Sequence, residues 1–397
     1  MNNTYDWVLY PEEEEAILKI KEALHRHPEL SFEERRTTEL IRSVLERMDG
    51  VKFMDLPIET GVVAMIMGGA SGKLVALRAD IDALPKTEIP TGPIVSQNEG
   101  VMHACGHDFH TAALLGAAQV LSRNRAELRG NVMLIFQPAE EITAGAQHLL
   151  KAGMFDQYRP DYLFGLHNRP DMLTGQVTAE PGYRMAGKFN YKITIHGKSS
   201  HSGYPQDSHD PVVCACALVT SLQTIISRNT SPLDAATVGI ESIQTDNSMM
   251  HQMVDDVVLE GSVRAHSDKV RKQAMARVRE MTETIAKAYN CTGDLSIEAE
   301  VPAVYNSEEM ADIAVRAAYT TVGHEGIVSV PGGLGCEDFG WLMTEVPGYY
   351  YWVGSGPADK HDQTPYPGWH DPAFHTNDDA LPIASNLLIQ SVLEAQK

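Results

Sequence analysis

Residues 62–82, VVAMIMGGASGKLVALRADID, carry the pattern that decides the fold. Their two apolar runs, at 62–67 and 74–79, are typical of buried β-strands, and a glycine-rich turn at 68–72 separates them. Further strands are predicted at 131–136 and 162–166, with a helix at about 111–121 and a helical stretch between the two later strands. This alternation predicts an α/β domain with a mostly parallel sheet flanked by helices.

The pattern changes after residue 181. Strands are predicted at 189–196, 237–242, 257–265 and 294–299, and helices at 211–228 and 269–289. The resulting order, βαββαβ, is that of a ferredoxin-like domain. From about residue 301 the style of the first domain resumes. We therefore predict a catalytic domain in two parts, 1–185 and 300–397, with an α+β lid domain at 186–299 inserted between them.

Composition limits the classes of partner. The chain has 397 residues, and 53 acidic against 32 basic side chains give it a formal charge of −21. Nucleic acids and anionic membranes bind basic surfaces, so neither is expected, and a small molecule is the expected substrate. Neither a secretory signal nor a membrane-spanning apolar window is expected, which favours a cytoplasmic protein. The five cysteines are scattered and odd in number, which fits reduced thiols.

A metal site is suggested by residues 102–110, MHACGHDFH, which hold one thiol, three imidazoles and one carboxylate. Cys105 and His107 are separated by one glycine, so a tight turn can direct both side chains at one point. Thiolate and imidazole suit zinc and its neighbours better than calcium or magnesium. The alternative is that the histidines cap a helix and Cys105 is a small buried apolar residue.

Three further polar segments follow predicted strands. Asp80 and Asp82 follow the strand at 74–79, Glu140 and Glu141 follow the strand at 131–136, and His167 ends the strand at 162–166. The carboxyl ends of parallel strands meet at one edge of a sheet, so these side chains should converge. In such a pair of glutamates, one can bind metal and the other transfer a proton. The two aspartates are either ligands or carboxylates that orient a metal-bound histidine.

Several motifs in a fixed order resemble one family. The chain is similar to the metallopeptidase superfamily of glutamate carboxypeptidase and aminoacylase, and within it to hippurate hydrolases, auxin-conjugate hydrolases and N-acetyl-amino-acid deacetylases. The resemblance covers nearly the whole chain. Its motifs are HRHPELS (25–31), LRADIDALP (77–85), MHACGHD (102–108), FQPAEE (136–141), GLH (165–167), HGKSSHSGYP (196–205), GSVR (261–264) and EDF (337–339).

The resemblance implies a site that holds two divalent metal ions, with zinc, manganese, cobalt and nickel as candidates. It implies that Glu140 is the general base for an attacking metal-bound hydroxide and that Asp80 orients a ligand. The implied ligands are Cys105, His107, Glu141, His167 and His375. His370, five residues before His375, is an alternative to His375.

In the lid, the resemblance implies that His201 contacts the substrate carbonyl, in relatives often from the partner subunit. His251 replaces an asparagine that contacts substrate in relatives. Arg264 could hold the substrate carboxylate, since a guanidinium binds a carboxylate with two hydrogen bonds. A solvated loop position for His201 and a surface ion pair for Arg264 are the alternatives. The resemblance also implies a homodimer, or a higher homo-oligomer, formed through the lid.

The function that follows is hydrolysis of N-acyl amino acids to a carboxylic acid and a free amino acid. A dipeptidase or aminopeptidase of the same superfamily is one alternative. Another is an amidase with Cys105 as nucleophile, and a third is a silent binding module. Neither the acyl group nor the preferred amino acid follows from the sequence.

Overall fold

The computed structural model describes residues 7–245, 252–361 and 365–397. The chain divides into two compact units. The first comprises Met1–Gly182, Tyr305–Pro331 and Trp341–Lys397, and the second comprises Tyr183–Val304 and Gly332–Gly340. The two units differ from the domains expected from the sequence chiefly in one segment.

That segment is Gly332–Gly340, which the sequence boundaries put in the catalytic domain and the structure groups with the second unit. Backbone contacts explain the difference. Gly333 donates its N–H to the Arg184 carbonyl at 3.0 Å, and its own carbonyl lies 2.9 Å from Nε2 of His266. Periodicity does not register such loop contacts.

The helices are α1 Pro11–Arg26, α2 Arg35–Leu45, α3 His107–Arg123, α4 Gly145–Lys151, α5 Pro211–Asn229, α6 Asp268–Ala288, α7 Glu308–Val322, α8 Phe339–Glu345 and α9 Ala380–Ala395. The strands are β1 Val51–Phe53, β2 Val62–Ile66, β3 Ala70–Asp80, β4 Arg129–Gln137, β5 Tyr162–Arg169, β6 Val177–Thr178, β7 Gly182–Met185, β8 Gly187–His196, β9 Ala236–Thr245, β10 Asp256–Ala265, β11 Thr292–Val301, β12 Val304–Asn306, β13 Ile327–Val328 and β14 Gly348–Gly354.

The first unit is built on an eight-stranded sheet of order β1-β2-β4-β3-β5-β14-β6-β13. Its central strands, β4, β3, β5 and β14, run parallel, and β1 and β2 pair antiparallel at one edge. Apolar residues of α1, α2, α3, α7 and α9 share one core with these strands. The predicted α/β class, with a mostly parallel sheet flanked by helices, is confirmed.

The glycine-rich turn after β2 has a steric reason. Strand β4 lies between β2 and β3, so the chain leaving β2 passes the start of β4. A Cβ atom on Gly68 would lie 1.9 Å from the Gly130 carbonyl oxygen, and one on Gly72 would lie 2.2 Å from that of Arg129. Only glycine permits this approach of two backbones.

The second unit has a four-stranded antiparallel sheet of order β11-β8-β10-β9. Strand β8 alternates buried and half-buried residues along its whole length, as the sequence pattern predicts for a sheet with one covered face. Helices α5 and α6 supply the rest of that core. With chain order βαββαβ, this strand order is that of a ferredoxin-like unit.

Helix α5 corrects one expectation from the sequence. It has 19 residues and a mean hydropathy of 1.4, so by length and composition alone it could cross a membrane. No membrane-spanning apolar window is expected from the sequence, but the serines, threonines and glutamine of α5 lower its mean hydropathy only slightly. Cys214, Leu218, Leu222 and Ile225 recur at helical spacing on its buried face, where they join the core of the second unit.

Candidate metal centre

The polar segments of the first unit meet where its central strands end. Asp80 of β3 is in register with Gln137 of β4, and Arg78 of β3 is in register with Gly165 of β5. The residues that follow each strand therefore emerge at the same edge of the sheet. Convergence of these three segments, expected from the sequence, is observed.

The turn at Cys105 depends on Gly106. This glycine is the N-cap of α3 and has a left-handed φ of +84°. A Cβ atom there would lie 2.3 Å from Nδ2 of Asn168, which itself donates to the Cys105 carbonyl at 2.6 Å. The glycine thus allows the chain to reverse so that Cys105 and His107 face one point.

Four of the five predicted ligands lie together. Cys105 Sγ is 3.4 Å from Nε2 of His167, and with an atom of His107 these form a group within 4.8 Å. His107 Nε2 lies 3.8 Å from Oε1 of Glu141 and 3.9 Å from Oε2 of Glu140. One thiol, two imidazoles and two carboxylates therefore surround one small volume.

A further histidine, His370, lies beside the cluster. Its Nε2 atom lies 3.5 Å from Oε2 of Glu141, and the pair groups with Cys105 as a further set of possible ligands. His370 has a left-handed φ of +65°, and its N–H donates to the Ala104 carbonyl at 2.8 Å. This backbone contact attaches the segment around His370 to the loop that carries Cys105.

The fifth predicted ligand, His375, has other contacts, and its role as a ligand stays a prediction. Its Nδ1 atom lies 3.1 Å from the Ala373 carbonyl, and its ring packs against Tyr366 at 4.7 Å between centroids. No group of possible metal ligands found among the described residues includes it. Both histidines stand in a loop without periodicity, so spacing gave no basis for the choice.

Backbone and carboxylate partners fix the direction of the ligand rings. His107 Nδ1 bonds to Oδ1 of Asp82 at 3.2 Å, and His167 Nδ1 donates to the Asn168 carbonyl at 2.7 Å. In both rings Nε2 is left to face the cluster, which is the usual arrangement of a metal-bound histidine and its supporting acceptor. The buried Nε2 of His107 has no hydrogen-bond partner.

Asp80 lies beside His107 and has further buried partners of its own. It pairs with NH1 of Arg78 at 2.8 Å and with Nδ1 of His110 at 2.6 Å. Burial raises the pKa of Asp80, but the charges of His107, Arg78 and His110 outweigh burial, so the pKa lies well below its usual range. Asp80 thus stays ionised, 3.6 Å from Nε2 of His107.

The turn that carries the two glutamates is strained. Ala139 and Thr143 adopt left-handed φ values of +54° and +56°, which cost non-glycine residues on the order of 1 kcal/mol each. Asp82 holds this turn, because its two oxygens accept the N–H groups of Glu140 and Glu141 at 3.1 Å each. One aspartate therefore positions both glutamates and a ligand histidine.

The site's electrostatics favour a cation. Burial lowers the pKa of His107, yet the surrounding carboxylates of Asp80, Asp82 and Glu141 raise it to about 10. The pKa of His167 is lowered well below its usual range, by burial first and by the charge of His110 next. A metal ion can replace the proton on His107 and bind the unprotonated Nε2 of His167. Thiolate, imidazole and carboxylate donors at these positions fit divalent transition metals.

Comparison with known proteins agrees with this geometry. Residues 76–394 match peptidase family M20/M25/M40. The chain belongs to this family. It is 38% identical to an N-acetylcysteine deacetylase of Bacillus subtilis, over 93% of this chain and 94% of that protein. It is 33% identical to an IAA-amino acid hydrolase of Arabidopsis thaliana, over 97% of this chain and 85% of that protein.

A solved structure of the same family is also similar. The YXEP protein of Bacillus subtilis, described as a dinuclear metal binding peptidase from the M20 family, superposes with a TM-score of 0.83 and 34% identity. The similarity covers 98% of this chain and 99% of that one. The family resemblance drawn from the motifs is therefore confirmed.

The predicted substrate contacts lie in the second unit of this M20-family chain. His201 is exposed and its Nδ1 accepts the Gly203 N–H at 3.0 Å. The Arg264 guanidinium contacts Ser262 Oγ and the Leu334 carbonyl, each at 3.3 Å. His251 lies outside the described residues. The roles of all three remain predictions.

The sequence gives His110 no more than a supporting or structural role, places Asn168 in a polar segment without a role of its own, and assigns none to Trp369. The His110 ring accepts the Asn168 N–H at 3.0 Å, and Trp369 donates its indole N–H to the Asn168 carbonyl at 3.1 Å. The Trp369 ring also lies 5.0 Å from that of His167. The contacts of Trp369 join a distant loop to the end of β5, and no spacing in the sequence indicates them.

Proposed function

We propose that this protein is a metal-dependent amidohydrolase that cleaves N-acyl amino acids to a carboxylic acid and a free amino acid. The observation that carries the proposal is the buried cluster around His107 Nε2, where thiol, imidazole and carboxylate atoms face one another. The relatives named as a deacetylase and an amino acid hydrolase support the substrate class.

In this proposal the cluster holds two divalent ions. Its ligands are Cys105, His107, Glu141, His167 and His370. When bound, the ions would polarise the amide carbonyl and make the attacking water more acidic. Zinc, manganese, cobalt and nickel all suit these donors, and we propose one of them as the native ion.

Glu140 is the proposed general base. Glu140 Oε2 and Glu141 Oε1 lie 3.9 and 3.8 Å from His107 Nε2, and Asp82 fixes the backbone of both residues. Glu141 also lies 3.5 Å from Nε2 of His370 and groups with Cys105, so we assign the metal contact to Glu141 and the proton transfer to Glu140. A carboxylate so placed can take a proton from water and return it to the leaving nitrogen, which must be protonated to depart as an amine. Asp80 contributes by fixing the charge beside His107 and the ring of His110.

The experiment compares substrates and one variant. Purified protein is treated with chelator, reloaded with each candidate ion and assayed with N-acetyl, N-benzoyl and N-indolylacetyl amino acids and with free dipeptides. Release of amino acids from the acylated compounds supports the proposal, while cleavage of free dipeptides alone favours a peptidase. Glu140→Gln should keep bound metal and lose about 10²- to 10⁴-fold in kcat; turnover near wild type with metal retained contradicts the assignment of the base.

One contact favours a second candidate. Cys105 Sγ lies 3.4 Å from a histidine nitrogen whose ring is oriented by a backbone carbonyl, as in a cysteine nucleophile with its base. Such an amidase would be inactivated by a thiol reagent and unaffected by a chelator. It would leave the carboxylates around His107 without a role, so we rank it second.

We also propose a homodimer formed through the second unit and a cytoplasmic location. The free state of all five cysteines agrees with a reducing compartment. Size-exclusion chromatography with light scattering tests whether the protein is a dimer. Substitution of exposed residues of the second unit would then locate the interface.

A further inference from the structure

A buried carboxylate outside the cluster contacts the turn that bears the proposed base. Glu34 is the N-cap of α2 and is 0% exposed. Its Oε1 atom accepts two backbone N–H groups, from Phe32 and from Ala139, both at 2.9 Å. Ala139 directly precedes Glu140, so Glu34 reaches across more than a hundred residues of chain to the base.

The contact lies at the strained point of the turn. Ala139 is one of its two residues with left-handed φ, and its N–H direction is set by that conformation. Asp82 holds the same turn further on, through the N–H groups of Glu140 and Glu141. Ala139, Glu140 and Glu141 thus each donate to a buried carboxylate, and Glu34 supplies the first of these contacts.

Further hydrogen bonds fix the backbone at Glu34. Its carbonyl accepts the Thr38 hydroxyl at 2.6 Å, and that hydroxyl oxygen accepts the Gly61 N–H at 2.9 Å. Gly61 has a φ of +89°, and a Cβ atom there would lie 2.7 Å from Cδ of Pro138. The start of α2, the chain before β2 and the chain after β4 are therefore connected around the turn.

We propose that Glu34 is a positioning residue for the reaction: as a hydrogen-bond acceptor for Ala139, it fixes the turn from which Glu140 acts on the substrate. What Glu34 supplies is an oxygen atom at the right place; burial opposes its ionisation and raises its pKa to about 7. The inference rests on the proposed function only for the role of Glu140.

Three variants separate positioning from general support of the fold. Glu34→Gln keeps an oxygen acceptor for Ala139 and removes the ionisable group. Glu34→Leu fills similar volume and removes the acceptor. Glu33→Leu is the matched control, since Glu33 directly precedes Glu34 in the chain and is exposed. If Glu34→Leu does not fold, Glu34→Asp replaces it, because its shorter side chain withdraws the oxygen from Ala139.

The first readout needs no activity. Hydrogen–deuterium exchange is followed for a peptide that covers residues 137–145, on protein with bound metal. We expect wild-type protection in Glu34→Gln and Glu33→Leu. In Glu34→Leu or Glu34→Asp we expect faster exchange confined to this peptide and to the residues around Phe32, whose N–H loses the same acceptor. Unchanged protection in the latter pair overturns the proposal, as does a general rise in exchange across the unit.

The second readout is the division between kcat and KM with an N-acetyl amino acid. A displaced base should lower kcat by about 10- to 100-fold with KM within about twofold in Glu34→Leu, while Glu34→Gln stays near wild type. An equal loss in Glu34→Gln and Glu34→Leu overturns the proposal. If the wild type hydrolyses no N-acyl amino acid, the proposed function fails, but the exchange result still decides the role of Glu34 in the turn.

Discussion

Replacing Glu34 by Gln should change how the stability of the protein depends on pH. Burial raises the pKa of Glu34 from 4.5 to about 7, and the charge of Asp82 acts in the same direction. An acid whose pKa is higher in the folded state holds its proton more tightly when folded, so stability falls as pH rises from about 4.5 to about 7. Gln carries no such proton, and the variant should lack this loss.

The size of the effect follows from the two pKa values. Their difference corresponds to about 3 kcal/mol at full extent, and about 2.5 kcal/mol of this falls between pH 5 and pH 8. Relative to wild type, Glu34→Gln should therefore gain about 2.5 kcal/mol in free energy of unfolding between these two pH values. Lost or altered hydrogen bonds contribute equally at both pH values and cancel in this comparison.

The assay is urea unfolding of metal-free wild type and variant at pH 5 and pH 8, so that metal binding adds no pH dependence of its own. Glu33→Gln, at the exposed neighbouring position, is the matched control. A variant-minus-wild-type difference that is the same at pH 5 and pH 8, or that changes in the opposite direction, refutes the reasoning about Glu34.

Two further predictions concern the site and its support. His370→Ala should lower bound metal by at least one equivalent, whereas His375→Ala should leave two, as measured by elemental analysis after gel filtration; loss of metal from His375→Ala alone would restore the assignment made from the sequence. Gly61→Ala should destabilise the protein by about 1–2 kcal/mol from its φ alone, and more from the contact with Pro138, as measured by thermal unfolding; a Tm equal to wild type would show that the turn yields without cost.

The sequence predicts much of the first unit because its central strands are buried on both faces. The run at 62–67 is apolar throughout and the run at 131–136 is apolar after Asn131, and both are strands with almost wholly buried residues. Such runs are typical of strands covered on both faces of a layered sheet. The segment at 332–340 has no periodicity, so no pattern in the sequence indicates that it groups with the second unit.

The residues of the site also differ in how far the sequence predicts their places. Cys105 lies just before α3, Glu141 follows β4 and His167 lies in β5, so regular elements place all three. His370 depends on a left-handed residue within a loop, which no spacing encodes. Glu34 looks in the sequence like an ordinary acid at the start of a helix, where it complements the dipole; only the folded chain brings it to Ala139.

The central claim is that the cluster around His107 is a two-metal site for amide hydrolysis. The most direct measurement is a titration of metal-free protein with Mn²⁺ or Zn²⁺ while amino acid release from an N-acetyl amino acid is followed. We predict no activity before metal is added and a rise that reaches its plateau at two equivalents per chain. Full activity in metal-free protein would contradict the account. So would the absence of amide cleavage with every acylated substrate after two equivalents of metal have bound.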